Sequence, residues 1–215
     1  MKLVIHADGN KLFGTGHLVR MRILVQCLNA DATLVTHTPD IARKVFVDTP
    51  VRIVAAPGPD ALVSVMTAGK DAVIAVLDPP FDPANPESCS GPAWRSLSER
   101  LQNFGVPVVR FTDEGTPSEH CCDLLINDHP LAGNFSRYYH EPRIVLAGLN
   151  FFLVIPDHTQ ITAMPAGLFV SLGGSDQGDL LRRFSSSLTN LASEMPVRVI
   201  IGPSTGSRSL EIPDA

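Results

Sequence analysis

Apolar residues fall in short, almost unbroken blocks along this chain, separated by longer stretches whose apolar positions recur three and four apart. The blocks at 3–6, 32–36, 52–55, 72–77, 107–111, 124–126 and 144–146 predict strands. The stretches 17–29, 40–46, 60–68 and 94–104 predict helices. A strand that is apolar at successive positions needs cover on both faces, and helices between consecutive strands supply it. The pattern therefore predicts an α/β fold built on a Rossmann-like parallel sheet. Ligands of such sheets bind beyond the carboxyl ends of the strands, which directs attention to His6, Asp8, Asp78, Asp113, Glu114 and Asn127.

The first strand leads into Gly14-Thr15-Gly16-His17, with Arg20 one turn further on. Glycines let backbone approach a ligand closely, and a helix N-terminus offers free N–H groups and partial positive charge. A phosphate or sugar diphosphate suits such a place. The helix dipole is expected to favour the neutral form of His17, and a neutral imidazole beside a phosphorylated substrate is a general base. The plainer alternative is that His17 only begins the helix. Two familiar phosphate loops do not fit: a Walker loop needs Lys-Ser/Thr after its last glycine, and the dinucleotide fingerprint needs a third glycine where Val19 and Arg20 stand.

The proline-rich stretch 78–86 cannot continue a helix or an inner strand and is expected to form a loop near the same rim. Residues 156–165 resemble a linker, so the expected organisation is a first domain over 1–155 and a partial second unit over 166–215. Within that unit 168–172 predicts a strand, 173–176 a turn, 179–193 a helix and 197–201 a strand. These elements are too few to bury a core of their own, so exposed apolar surface is expected there.

Of the 215 residues, 44% are hydrophobic, enough for a substantial core. The net charge of −5 argues against a general nucleic-acid or membrane-surface binder. No apolar run approaches the ~18–20 residues of a membrane span, and no signal-like segment precedes the first strand, so the cytoplasm is the expected location. Cys27, Cys89, Cys121 and Cys122 form no Cys-x-x-Cys pair, which suits reduced thiols. The stretch His120-Cys-Cys-Asp123 lacks zinc spacing. No metal and no cofactor are expected, because the acids are scattered and a helix N-terminus stabilises phosphate directly.

Several of these pieces, taken in order, resemble the UDP-sugar hydrolases of pseudaminic acid biosynthesis, which share the two-domain GT-B glycosyltransferase fold. The matching residues are Asp8 with Gly14-Thr-Gly-His17-x-x-Arg20, Asp78 after a strand, Phe111-Thr-Asp-Glu114, Cys122-Asp-Leu-Leu-Ile-Asn127, Gly148, and Ser171-Leu-Gly-Gly-Ser-Asp176. The resemblance implies release of UDP from a UDP-diacetamido-trideoxy-hexose, with His17 activating water against the anomeric carbon or the phosphate. It implies that Asp8, Gly14, Thr15, Gly16, Arg20, Asp78, Asp113, Glu114 and Asn127 serve the substrate, and that Gly173, Gly174, Ser175 and Asp176 face the nucleotide. The implied partner is the UDP-sugar alone; oligomeric state is left open.

The chain also departs from that family. His6 stands where relatives carry an arginine, Pro79-Pro80 where they place a tyrosine, and Phe151 and Ile155 at an expected tyrosine and arginine. Relatives continue past the Gly-Gly-Ser-Asp loop with further elements that hold uridine and diphosphate, so an incomplete nucleotide grip is expected. A GT-B glycosyltransferase, with an acceptor hydroxyl in place of water, and a truncated homologue of little activity are the alternatives.

Overall fold

The computed structural model describes residues 2–10, 14–55, 59–68, 73–79, 92–113, 120–134, 139, 141–153, 167–171 and 180–200. Seven strands form one parallel sheet: β1 (Lys2–Ala7), β2 (Asp31–Thr36), β3 (Val51–Ala55), β4 (Val73–Asp78), β5 (Val108–Thr112), β6 (Leu124–Asn127) and β7 (Ile144–Ala147). Their order across the sheet is β3-β2-β1-β4-β5-β6-β7. The chain first winds outward from β1 to β3, then returns to the other side of β1 and winds the opposite way. The reversal falls between β1 and β4, the place where sheets of this kind form a crevice at the carboxyl ends of their strands. The expected α/β, Rossmann-like parallel sheet is what the chain forms.

The helices α1 (Gly16–Leu28), α2 (Pro39–Val45), α3 (Pro59–Thr67) and α4 (Pro92–Asn103) cover this sheet. Two cores result, because successive side chains of a strand point to opposite faces. On one face Leu3, Ile5 and Ala7 of β1 pack with Leu18, Met21 and Val25 of α1 and Ala42 of α2. On the other, Val4 packs with Leu62, Val63 and Met66 of α3 and Leu97 and Leu101 of α4. The helical partners recur at three- and four-residue spacing, as one buried stripe per helix requires.

The turn before α1 is held at both ends. Asn10 and Gly14 exchange backbone hydrogen bonds of 3.0 and 2.9 Å, and Gly14 takes a left-handed φ of 72°. A Cβ on Gly9 would lie 2.8 Å from Leu18 Cδ1 and 3.0 Å from the Gly14 carbonyl, so any side chain there would press on both the helix and the turn. At its far end α1 stops at Asn29, whose φ of 45° is the left-handed conformation that asparagine tolerates.

A separate two-stranded parallel sheet pairs β8 (Leu168–Ser171) with β9 (Val197–Ile200), and α5 (Leu180–Ala192) lies between them in sequence. Leu181 and Leu188 of α5 are buried, whereas Phe169 and Phe184 remain 62% and 54% exposed. The expected exposed apolar surface is present among these residues. The expected linker, 156–165, lies outside the described residues. Among the described residues, no helix is long and apolar enough to cross a membrane.

Leu18 has no solvent exposure, and it packs against the glycine turn as well as the core. Leu18→Ala should lower unfolding free energy by about 2–5 kcal/mol, read by urea denaturation. A loss below about 1 kcal/mol would show that α1 is not seated on the sheet as described.

Candidate functional site

The crevice between β1 and β4 holds a buried carboxylate. Asp78 ends β4 in register with Ala7 of β1, and it is 0% exposed. A bare carboxylate in that position is costly unless cations and hydrogen bonds meet it. Two residues from the start of α1 do so. His17 Nδ1 lies 2.9 Å from Asp78 Oδ1. Arg20 donates from Nε to Oδ2 at 3.0 Å and from Nη2 to Oδ1. The three-residue spacing of His17 and Arg20 places both on one face of the helix.

Arg20 is fixed on its remaining sides as well. Nη1 donates to Asp128 Oδ2 at 2.9 Å, and the guanidinium lies 5.4 Å over the ring of Phe111. The side chain thus spans the carboxyl ends of β4, β5 and β6. Burial opposes its charge, but Asp78 and Asp128 outweigh that and keep it charged. The same cations hold Asp78 below the ordinary carboxylate range despite complete burial.

His17 Nδ1 lies between Asp78 Oδ1 at 2.9 Å, which only accepts, and Arg20 Nη2 at 3.2 Å, which only donates; with the proton of Nδ1 given to the nearer carboxylate, Nε2 carries the lone pair. Burial disfavours protonation of His17, yet the charge and hydrogen bond of Asp78, with help from Asp113, raise its pKa above the ordinary value against the opposition of Arg20. The shift runs opposite to the one the helix dipole alone would give. A carboxylate in contact outweighs the partial charge of a helix end.

The N-terminus of α1 has no acidic residue in its first turn, and its N-cap, Thr15, makes no side-chain cap hydrogen bond. Its first N–H groups are therefore not neutralised from within the helix. Thr15 is buried and Gly16 exposed, and nothing lies within 4 Å of where a Gly16 Cβ would be. The Gly14–Gly16 turn thus leaves open space beside the helix end.

A second cluster gathers around Asp8, at the ends of β1 and β2. Asp8 Oδ1 accepts from Thr36 Oγ1 at 2.6 Å and from the His37 backbone N–H at 2.7 Å. Its Oδ2 lies 2.8 Å from His37 Nδ1 and 3.5 Å from His6 Nε2. Burial raises the Asp8 pKa, but the imidazoles and hydrogen bonds together bring it below the ordinary value. His6 donates Nδ1–H to the Val35 carbonyl at 3.0 Å. Burial lowers the His6 pKa against the pull of Asp8. One donor atom from each of His6, Asp8 and His37 falls within 4.8 Å of the others, a set able to hold a metal ion.

The structure thus brings together His17, Arg20 and Asp78, with Gly14, Thr15 and Gly16 on the same turn and Asp113 close enough to act on His17 electrostatically. Both oxygens of Asp78 are taken up by His17 and Arg20. Asp8 belongs to the His6–His37 cluster. Asn127 is buried, donating to the Tyr139 hydroxyl at 2.8 Å and accepting from the His129 N–H at 3.1 Å. That arrangement shapes the turn after β6. Glu114, Gly173, Gly174, Ser175 and Asp176 lie outside the described residues, as do Pro80 and Ile155. Pro79 is buried and Phe151 is exposed.

Sequence reasoning missed Asp128 and His37. Both directly follow a strand end or its last turn, so the rule that located Asn127 would also have reached them. The His120–Asp123 stretch is held in the core beside β5. Burial pushes His120 down to about 3 and Cys122 up to about 12, while Asp123 accepts the Val108 N–H at 2.9 Å. Cys27, Cys121 and Cys122 are free thiols.

No protein-family model matches the chain, and no curated protein matches it. The chemistry of the crevice is therefore read from its own geometry.

Asp78→Asn removes the charge that balances Arg20 and His17. Breaking a buried pair costs about 3–5 kcal/mol, and the lower end is expected because Asp128 still holds Arg20. The stabilisation from a depressed carboxylate is complete above about pH 4, the unfolded value, and is lost as pH falls through the folded value. The stability gap between parent and Asp78→Asn, measured by denaturant titration, should therefore be full at pH 7 and close on acidification. An equal gap at pH 7 and pH 2 would show that ionisation of Asp78 is not its source.

Proposed function

We propose that this chain is a nucleotide-sugar hydrolase that releases UDP from a UDP-diacetamido-trideoxy-hexose, as in pseudaminic acid biosynthesis. The observation that carries the reading is the Asp78–His17 couple, set at the topological switch point beside the uncapped N-terminus of α1. The diphosphate of such a substrate is an anion for the helix N–H groups. Its cleavage needs a base that takes a proton from water. Asp78 holds the imidazole by Nδ1, so Nε2 is the nitrogen that accepts the proton as oxygen attacks the anomeric carbon or the phosphorus. The resulting imidazolium is stabilised by the carboxylate beneath it. Arg20 locks that carboxylate in place and is itself locked by Asp128 and Phe111, so the couple is preorganised. The order of sequence pieces shared with the UDP-sugar hydrolases supports the choice of UDP-sugar over other phosphorylated substrates.

Screening purified protein against a panel of UDP- and CMP-sugars, with and without acceptor sugars, tests the proposal. Release of UDP into water without acceptor is expected. Release only with acceptor would assign a glycosyltransferase, and no release from any nucleotide sugar would overturn the reading. His17→Asn should keep the fold and lower turnover by about 10²–10⁴-fold; equal turnover would return His17 to a structural role.

The raised His17 pKa sets the pH profile. The base must be unprotonated, so kcat should rise with pH through a midpoint above the ordinary histidine value of about 6.5. In Asp78→Asn the charge that raises the pKa is gone. Its residual activity should show that limb shifted to lower pH. An unshifted limb would show that a group other than His17 controls the profile.

A further inference from the structure

The Asp8 cluster carries chemistry that the proposed hydrolysis does not use. Asp8 Oδ1 is saturated by two neutral donors, Thr36 Oγ1 and the His37 N–H, which turns Oδ2 toward two imidazole nitrogens. His6 gives its Nδ1–H to the Val35 carbonyl, so its Nε2 lone pair faces Asp8 Oδ2. At 3.5 Å these two atoms are beyond a good charge-assisted hydrogen bond, which is about 2.7–2.9 Å long. Two acceptors directed at one another are held apart at the spacing that a shared cation fills. Among the described residues, only imidazoles make ion-pair contacts with Asp8. By contrast, Asp78 meets a guanidinium.

We infer that His6 Nε2, Asp8 Oδ2 and His37 Nδ1 form a binding site for a divalent transition-metal cation of the zinc class. Ligands bound about 2.0–2.1 Å from a tetrahedral zinc stand about 3.3 Å from one another. The His6–Asp8 separation of 3.5 Å is close to this, the His37–Asp8 separation of 2.8 Å needs to widen by about half an ångström, and the His6 and His37 nitrogens, which lie within 4.8 Å of each other, settle at the same spacing as the ion binds. His37 has the freedom for this, since its side chain is 47% exposed. The cation replaces the proton that His37 Nδ1 shares with Asp8, and that proton moves to Nε2 by exchange with solvent. Two imidazoles and one carboxylate select zinc, cobalt, nickel or iron(II) over magnesium or calcium, which prefer oxygen ligands.

The surroundings match those of a metal site one layer out. The Val35 carbonyl fixes the tautomer and orientation of His6, and the Thr36 hydroxyl fixes Asp8. The Trp94 ring, 5.1 Å from the His6 ring, packs against the ligand from the side of α4. Three protein ligands leave a coordination position for water or substrate, the arrangement of open rather than closed zinc sites. This inference stands on its own geometry and holds whether or not the chain hydrolyses a UDP-sugar.

The test uses the full chain, stripped with chelator and titrated with Zn²⁺ by calorimetry and with Co²⁺ by visible absorption. One ion per chain with micromolar or tighter affinity is expected, with Co²⁺ giving the d–d bands of a four- or five-coordinate nitrogen–oxygen site. His37→Ala, at a half-exposed position, should fold normally and weaken binding at least tenfold. Asp8→Asn should weaken it further. Cys121→Ser with Cys122→Ser should leave binding unchanged. Millimolar or absent binding by the parent, undiminished binding by a folded His37→Ala, or a thiolate-to-cobalt band lost in the cysteine variant would each overturn the assignment.

Discussion

A carboxylate with no exposure to water, at the point where the sheet reverses its winding, is the constraint around which the rest of this crevice is arranged. Asp78 is tolerable there only because Arg20 and His17 meet both of its oxygens. That requirement explains the local architecture. The turn from Asn10 to Gly14 must be tight enough to start α1 over the end of β4, and Gly9 must lack a side chain for Leu18 to seat beneath it. Arg20 in turn needs Asp128 and Phe111, so the network extends across three strand ends. Arg20 is the member shared by every contact, so its removal would leave both Asp78 and Asp128 without their cation.

The two acidic clusters sit on neighbouring strands but differ in what surrounds them. Asp78 is neutralised by a fixed cation and serves as a rigid support for one imidazole. Asp8 is held by hydroxyl and amide donors, and it faces two imidazoles instead of an arginine. His6 feels the charges of both acids, which places the clusters side by side along β1 and β4. One rim thus presents an imidazole held by a buried carboxylate and, beside it, a carboxylate faced by two imidazoles. His6, in place of a fixed cation, is what makes the second cluster chemically distinct.

The seven strands of the large sheet and the four helices that cover it are legible in the order of apolar and polar residues along the chain. Their signals are local: apolar blocks such as Leu3-Val-Ile5, the Gly14–Gly16 turn, and buried stripes such as Leu18, Met21 and Val25. Strand boundaries extend one residue beyond the apolar blocks in several places. Asp78 and Asn127 belong to strands, because a ladder hydrogen bond does not depend on the polarity of the side chain. His17 and Arg20 were legible as candidates for the same local reason, since they share a face of one helix with the glycine turn.

What those residues touch was decided by the tertiary structure alone. His17 and Asp78 are 61 positions apart, Arg20 and Asp128 are 108 apart, and His37 lies 29 beyond Asp8. No local periodicity encodes which strand ends become neighbours. Crossover topology does so, by returning β4 to the free side of β1. The direction of the His17 pKa was hidden for that reason: the helix dipole is present in the sequence of α1, but the carboxylate that outweighs it arrives from another strand. The sequence by itself determined where strands, turns and helices begin, because apolar spacing and backbone preference act over a few residues. The partners of its buried charges were determined only when packing removed water and left each carboxylate the cations and donors within reach.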